Sequence, residues 1–121
     1  MSDSQGAPVA DCLFCRIVAG EIPAQIVHRG ERTLAFRDIA PQAPVHVLVV
    51  PHAHHPNAAA VAAADGELSA ELVRTAAVVA AAEGHPDDYR LVFNTGAGAG
   101  QTVFHAHLHV LAGRGLAWPP G

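Results

Sequence analysis

Asn94-Thr-Gly-Ala-Gly-Ala-Gly100-Gln101-Thr102-Val-Phe-His105-Ala-His107-Leu-His109-Val-Leu111 sets a glycine-rich loop directly before three histidines spaced two apart. Residues two apart on a strand share a face. A strand over Val103 to Leu111 therefore puts His105, His107 and His109 on one side and Phe104, Ala106, Leu108 and Val110 on the other. Three imidazoles on one face are costly to bury without partners. The plain alternative is a set of hydrogen-bonded histidines with no task, and a rival is zinc, which two histidines on one strand face can ligate. The loop glycines let backbone N–H groups approach an anion, and Asn94 and Thr102 add side-chain donors. Its spacing matches neither the dinucleotide fingerprint nor the phosphate loop of the large NTPases, so its weight comes from the neighbouring histidines. Donors for an anion beside an imidazole nucleophile suit phosphoryl or nucleotidyl transfer, because imidazole is largely neutral near pH 7 and forms a labile covalent intermediate.

Upstream, three extended stretches are expected at Ile26 to His28, Thr33 to Arg37 and Val45 to Val50, the first two joined as a hairpin across Arg29-Gly30-Glu31. Tyr89 to Asn94 reads as a further strand. Asp11 is placed to cap a short helix over Cys12 to Ala19 that Gly20 ends. Gly66 to Gly84, with Leu68, Leu72, Val73, Val78 and Val79 among alanines and Glu67 and Glu71 near its start, predicts the one long helix. The alanine run at 58 to 64 is compositionally biased, bounded by Pro56 and Asp65. Residues 1 to 10 are polar, carry Gly6 and Pro8, and read as a flexible tail. The folded domain is expected over 11 to 121.

The 121 residues suffice for one domain, and a core rich in alanine with few aromatics suggests help from a dimer interface or a metal. Seven Lys plus Arg against eleven Asp plus Glu leave no basic stripe for a phosphate backbone, which argues against nucleic acid as the main partner. The apolar runs fall far short of the roughly 20 residues that span a bilayer, and the first ten residues do not read as a secretory signal. A cytoplasmic location follows as the expectation. Cys12 and Cys15 stand three apart, a spacing used for metal or redox chemistry more often than for a structural disulfide.

His105-Ala-His107-Leu-His109-Val-Leu resembles the His-x-His-x-His-x-x signature of the histidine triad superfamily. Phe36-Arg-Asp-Ile-Ala-Pro-Gln-Ala-Pro-Val-His46, Asn94 to Gln101 and the closing Trp118-Pro-Pro-Gly121 are similar to the nucleotide-binding branch that hydrolyses purine nucleoside 5'-phosphoramidates. The resemblance implies an α+β fold: a five-stranded, mainly antiparallel sheet with two helices, paired into a homodimer whose sheets join across the two-fold axis. It implies AMP joined to an amine as the substrate type and His107 as the nucleophile. His109, with the amides around Gly100, Gln101 and Thr102, would hold the phosphate oxygens, and Asn94 and Thr102 would position phosphate and leaving group. His105 and His46 belong to the family's proton-moving histidine set. Asp38 would accept from both ribose hydroxyls, and Leu13, Phe14, Ile17, Phe36, Ile39 and Leu48 would make the slot for the base. Asp38 as a strand-end cap and Asn94 as a turn residue are the plainer alternatives.

Members with the cysteine pair bind a structural zinc, which points to Cys12, Cys15, His54 and His105 as a closed Cys2His2 site. Within Pro51-His-Ala-His-His-Pro56, His52 and His55 stand as alternatives to His54, and a reduced thiol pair or a redox pair stands as an alternative to metal. Trp118 is expected to pack across the two-fold axis near the partner's site and to shape leaving-group specificity. Rival functions are hydrolysis of dinucleoside polyphosphates, a non-catalytic zinc-stabilised purine nucleotide-binding module, and a metallohydrolase whose triad holds zinc. The physiological amine, the choice between adenine and guanine, and a small-molecule against an adenylylated-protein substrate are not written in the sequence.

Overall fold

In the computed structural model, which describes residues 6–121, β1 (Ile26–Arg29), β2 (Thr33–Arg37), β3 (Val45–Pro51), β4 (Arg90–Val92) and β5 (Leu108–Ala112) form one antiparallel sheet in the order β1-β2-β3-β5-β4. β3 is buried along its whole length because it is central and covered on both faces, which is why it reads as an apolar run broken only by His46. Val45, Val47 and Val49 share one core with Ala106, Leu108, Val110 and Ala112, while Leu48 and Val50 belong to another with Leu34 and Phe36. Period-two alternation thus splits the hydrophobic content between two layers.

One layer is closed by α2 (Ala58–Ala64) and α3 (Gly66–Ala82), through Val61, Leu68, Leu72, Ala76 and Val79. Leu72 and Leu108 are among the largest fully buried side chains, each worth about 1.5–3 kcal/mol of burial. The other layer is closed by α1 (Leu13–Val18), whose Phe14, Cys15 and Ile17 pack on Phe36 and Leu48. The functional site lies on this second side.

Three of the expected boundaries shift. The alanine run is a helix in its own right, so there are three helices rather than two: the Asn57 side chain accepts from Ala60 N–H to start α2, and Asp65 accepts from Leu68 N–H to restart the chain as α3. Cys12, not Asp11, caps α1, its sulfur accepting from Cys15 N–H at 3.4 Å. Regular pairing begins at Leu108, not Val103, so only His109 of the triad sits on a strand. The segment before it leaves the ladder to follow the His54–His55 turn, where Ala106 N–H donates to the His55 carbonyl at 2.7 Å. The β1–β2 hairpin forms as expected, with Gly30 N–H donating to Thr33 O at 2.8 Å.

The expected tail divides. Residues 1–5 lie outside the described residues. Gly6 exchanges two backbone hydrogen bonds with His54, at 3.0 and 3.1 Å, and Val9 N–H points to Cys15 Sγ at 3.4 Å. No described helix is long and apolar enough to cross a membrane.

Candidate active site

A cavity of about 530 Å³ opens between α1 and the sheet. All seven residues expected around a nucleoside line it: Leu13, Phe14, Ile17, Phe36, Asp38, Ile39 and Leu48. Gly100, Thr102, His107 and His109 line it too. The apolar residues come from α1 and from the strand positions facing that layer; Ile39 and Leu13 are exposed, as rim residues of an open site are. Ile22, Pro23, Ala24, Gln25, Arg37 and Val103 complete the wall, and nothing in residues 22–25 marks them in the sequence as anything but a loop.

The hydrogen bonds of the histidines fix which ring nitrogen carries a proton. His107 Nδ1–H donates to the backbone carbonyl of His105 at 2.8 Å, so Nε2 of this cavity-lining ring keeps its lone pair. Phe14 stands edge-on to the ring, centroids 5.0 Å apart, and restricts its rotation. His46 Nδ1 accepts from Gln42 N–H at 3.0 Å, which puts its proton on Nε2. That N–H faces His109 Nδ1 at 2.9 Å and Asp38 Oδ2 at 3.4 Å. His109 therefore accepts at Nδ1 and carries its proton on Nε2, which is buried and has no partner among the described residues. The result is a lone pair on His107 and an unused N–H donor on His109, whose rings lie 5.0 Å apart.

Burial holds His109 neutral, lowering its pKa to about 4, with further lowering from His107 and His46 and a smaller opposing pull from Asp38. His46 is lowered for the same reason, again against Asp38. Neutral rings are what the hydrogen-bond chain requires, because a proton on His109 Nδ1 would face the Nε2–H of His46.

His105 turns away from the cavity. Its Nε2–H donates to Pro51 O at 2.9 Å, leaving the Nδ1 lone pair toward Cys12 Sγ and Cys15 Sγ, both at 3.5 Å, and toward His54 Nδ1 at 3.2 Å. Cys15 Sγ lies 3.4 Å from His54 Nδ1. A tetrahedral zinc with ordinary bond lengths sets its sulfur and nitrogen ligands about 3.6 Å apart and two nitrogens about 3.3 Å apart. Four of the six donor pairs already stand near those separations, all four atoms lying within 4.8 Å of one another, and the Pro51 carbonyl supplies the outer-shell bond that selects a ligating tautomer. This Cys2His2 cluster can hold a metal ion. Of the three neighbouring histidines, His54 is the one in it. Asp38, His46 and His109 also cluster, but Gln42 N–H keeps the proton on His46 Nε2, so a cation there would first have to displace it.

Burial pushes the Cys15 thiol up, opposed by the Val9 N–H, and pushes His105 down to about 4.

Two expected phosphate contacts have partners within the chain. Gln101 has no side-chain donor to spare for a phosphate: its Nε2 donates to Pro56 O at 2.7 Å and Val103 O at 3.0 Å, while its Oε1 accepts from Gly96 N–H at 2.9 Å. It clasps the loop. The backbone amides of Gly100 and Gln101 are also engaged, with Ala97 O and Gly96 O, in the 3-10 turn over Ala97–Ala99. Gly100 instead serves by its shape, at φ +96° with Asn94 Nδ2 3.8 Å from where a Cβ would stand. Asn94 faces this turn and does not line the cavity. Arg37 is held by Glu83 at 2.9 and 3.1 Å, and Arg114 by Gln42 O at 2.9 Å. Trp118 is 82 % exposed, so within one chain nothing covers it.

Residues 19–116 match the family model described as HIT domain. An uncharacterised HIT-like protein of Synechococcus elongatus is 50 % identical over 111 residues, covering 92 % of this chain and 97 % of its own. The crystal structure of a HIT family hydrolase from Legionella pneumophila superposes with a TM-score of 0.88 at 50 % identity, covering 92 % of this chain and all of that one. A histidine triad protein from Clostridium difficile follows at 0.84 and 35 %, covering 90 % and 96 %.

Proposed function

Because the chain belongs to the HIT domain family, we propose that it hydrolyses purine nucleoside 5'-phosphoramidates through a nucleotidyl intermediate on His107. The observation that carries this reading is the bond from His107 Nδ1–H to the His105 carbonyl, which commits the other ring nitrogen to act as nucleophile beside the idle N–H of His109. The base sits against Phe14, Ile17 and Leu48, and Asp38 accepts from the ribose hydroxyls.

The His107 Nε2 pair forms a bond to phosphorus while the P–N bond to the amine breaks. The amine leaves with that electron pair and takes a proton from water. His109 Nε2–H and Thr102 hold the phosphoryl oxygens as negative charge builds on them. The hydroxide left by that water then attacks phosphorus, the P–Nε2 bond breaks, its pair returns to the ring, and the nucleoside monophosphate departs carrying the hydroxyl. The Gln42–His46–His109 chain acts by holding His109 in the donating tautomer.

Zinc at Cys12, Cys15, His54 and His105 supplies structure in this reading: it would tie α1 to the segment whose carbonyl orients the nucleophile. The protein works as a homodimer in the cytoplasm, with Trp118 of each chain packed toward the partner's site. The test is mass spectrometry of the protein mixed with an adenosine 5'-phosphoramidate and quenched without acid. An AMP adduct mapping to His107 is expected, and His107→Ala should lower turnover at least a thousandfold, about 4 kcal/mol of transition-state stabilisation. Undiminished turnover in that variant, or an adduct elsewhere, would overturn it.

A further inference from the structure

A second cavity, of about 420 Å³, lies on the other side of Leu13, Thr102 and Val103, which line both hollows. Its remaining wall holds Val9, Asp11 and Phe104 beside the metal-site residues Cys12 and His54. Three of the large apolar side chains that the chain leaves exposed gather here: Val9, Leu13 and Phe104, at 38, 43 and 52 %. Apolar groups concentrated around one concavity mark a binding surface more often than scattered ones do. Asp11 is the one carboxylate in the lining and makes no ion pair among the described residues. The wall is anchored rather than loose: Cys12 N–H donates to Val9 O at 3.0 Å, Val9 N–H points to Cys15 Sγ, and Gly6 pairs with His54.

We infer that this second cavity receives the arm of the leaving amine, and that it selects an apolar arm ending in a cation over one ending in a carboxylate. The inference rests on the phosphoramidate reading for the substrate's other half. Thr102 is the hinge of the argument, because it borders both the hollow holding the reactive histidines and the hollow holding Phe104 and Asp11. A substrate with its nucleoside in the first hollow and its phosphorus beside His107 and Thr102 crosses that shared wall with the next group along. The arm then lies on Phe104 and Val9, and its far end meets Asp11. An α,ω-diamine or a lysine side chain whose far charge is positive fits this chemistry; an amino-acid amidate with a free carboxylate meets Asp11 as a like charge.

Binding, measured by calorimetry on the zinc-loaded His107→Ala protein, tests this without requiring turnover. The ligands are AMP and three adenosine 5'-phosphoramidates: of propylamine, of a 5-aminopentyl trimethylammonium, and of 6-aminohexanoate. The long cationic amidate should bind about tenfold tighter than the propyl amidate. It should also exceed the long anionic one by about fivefold at low salt, a gap that narrows as salt is raised. Adding Asp11→Asn should erase the cation-over-anion gap, and adding Phe104→Ala should weaken both long amidates at least threefold, in each case with AMP affinity unchanged. Equal binding of all three amidates beside normal AMP binding overturns the arm subsite alone. Failure of AMP itself to bind overturns both the subsite and the nucleotide reading.

Discussion

If Cys12, Cys15, His54 and His105 form a preassembled zinc site, stability should follow free zinc by linkage. Four of the six ligand-atom pairs stand 3.2 to 3.5 Å apart and all lie within 4.8 Å, near the edges of a zinc tetrahedron, so little reorganisation opposes binding. An ion bound only by the native state adds RT ln(1 + [Zn]/Kd), which is about 4 kcal/mol at a free concentration a thousandfold above Kd. For a chain of 121 residues this raises the melting temperature by about 15 °C. The assay is thermal unfolding of chelator-stripped protein in zinc buffers of stepped free concentration, followed by far-UV circular dichroism. Above Kd, stability should climb about 1.4 kcal/mol per decade of zinc. Cys12→Ser/Cys15→Ser should flatten the dependence while retaining a folded transition. A melting temperature indifferent to zinc in the unsubstituted protein, or an equal rise in the double variant, would refute the argument from ligand spacing.

Asp38→Ala should raise KM for an adenosine phosphoramidate by about tenfold or more, from loss of charge-assisted ribose bonds; a loss confined to kcat would count against the ribose role. His109, held near 4 against an ordinary 6.5, binds fewer protons folded than unfolded between those values. Its contribution is therefore complete above about pH 6.5 and is lost as the pH falls toward 4, by about 3 kcal/mol in full. Urea unfolding of His109→Asn should be less acid-sensitive than that of the unsubstituted chain, and parallel pH profiles would refute this. Thr33 and Thr75 share a buried hydroxyl–hydroxyl bond of 2.9 Å between β2 and α3. Thr75→Val should cost about 1–3 kcal/mol by orphaning Thr33, with Thr33→Val/Thr75→Val costing less than the two single changes summed; strict additivity in denaturant melts would refute the coupling.

The chemistry-bearing residues were legible because their spacing is local. Three histidines two apart and two cysteines three apart announce a site wherever the chain places them, and the alternation in β3 and β5 fixes which side chains face which layer. The apolar slot of Phe14, Phe36 and Leu48 could be drawn up by resemblance for the same reason. Tertiary structure decided what each ring does. The Pro51 and His105 carbonyls and the Gln42 amide assign the protons on His105, His107 and His46; Pro51 lies 54 residues from His105, and His46 lies 63 residues from the His109 it orients. His54 rather than His52 or His55 joins the metal cluster because the turn after β3, paired to Gly6, aims that one ring at the cysteines. Gln101, which the resemblance set among the phosphate contacts, spends its side-chain donors clasping the loop. A side chain's hydrogen-bonding capacity is finite, and only the folded chain shows where it has been used.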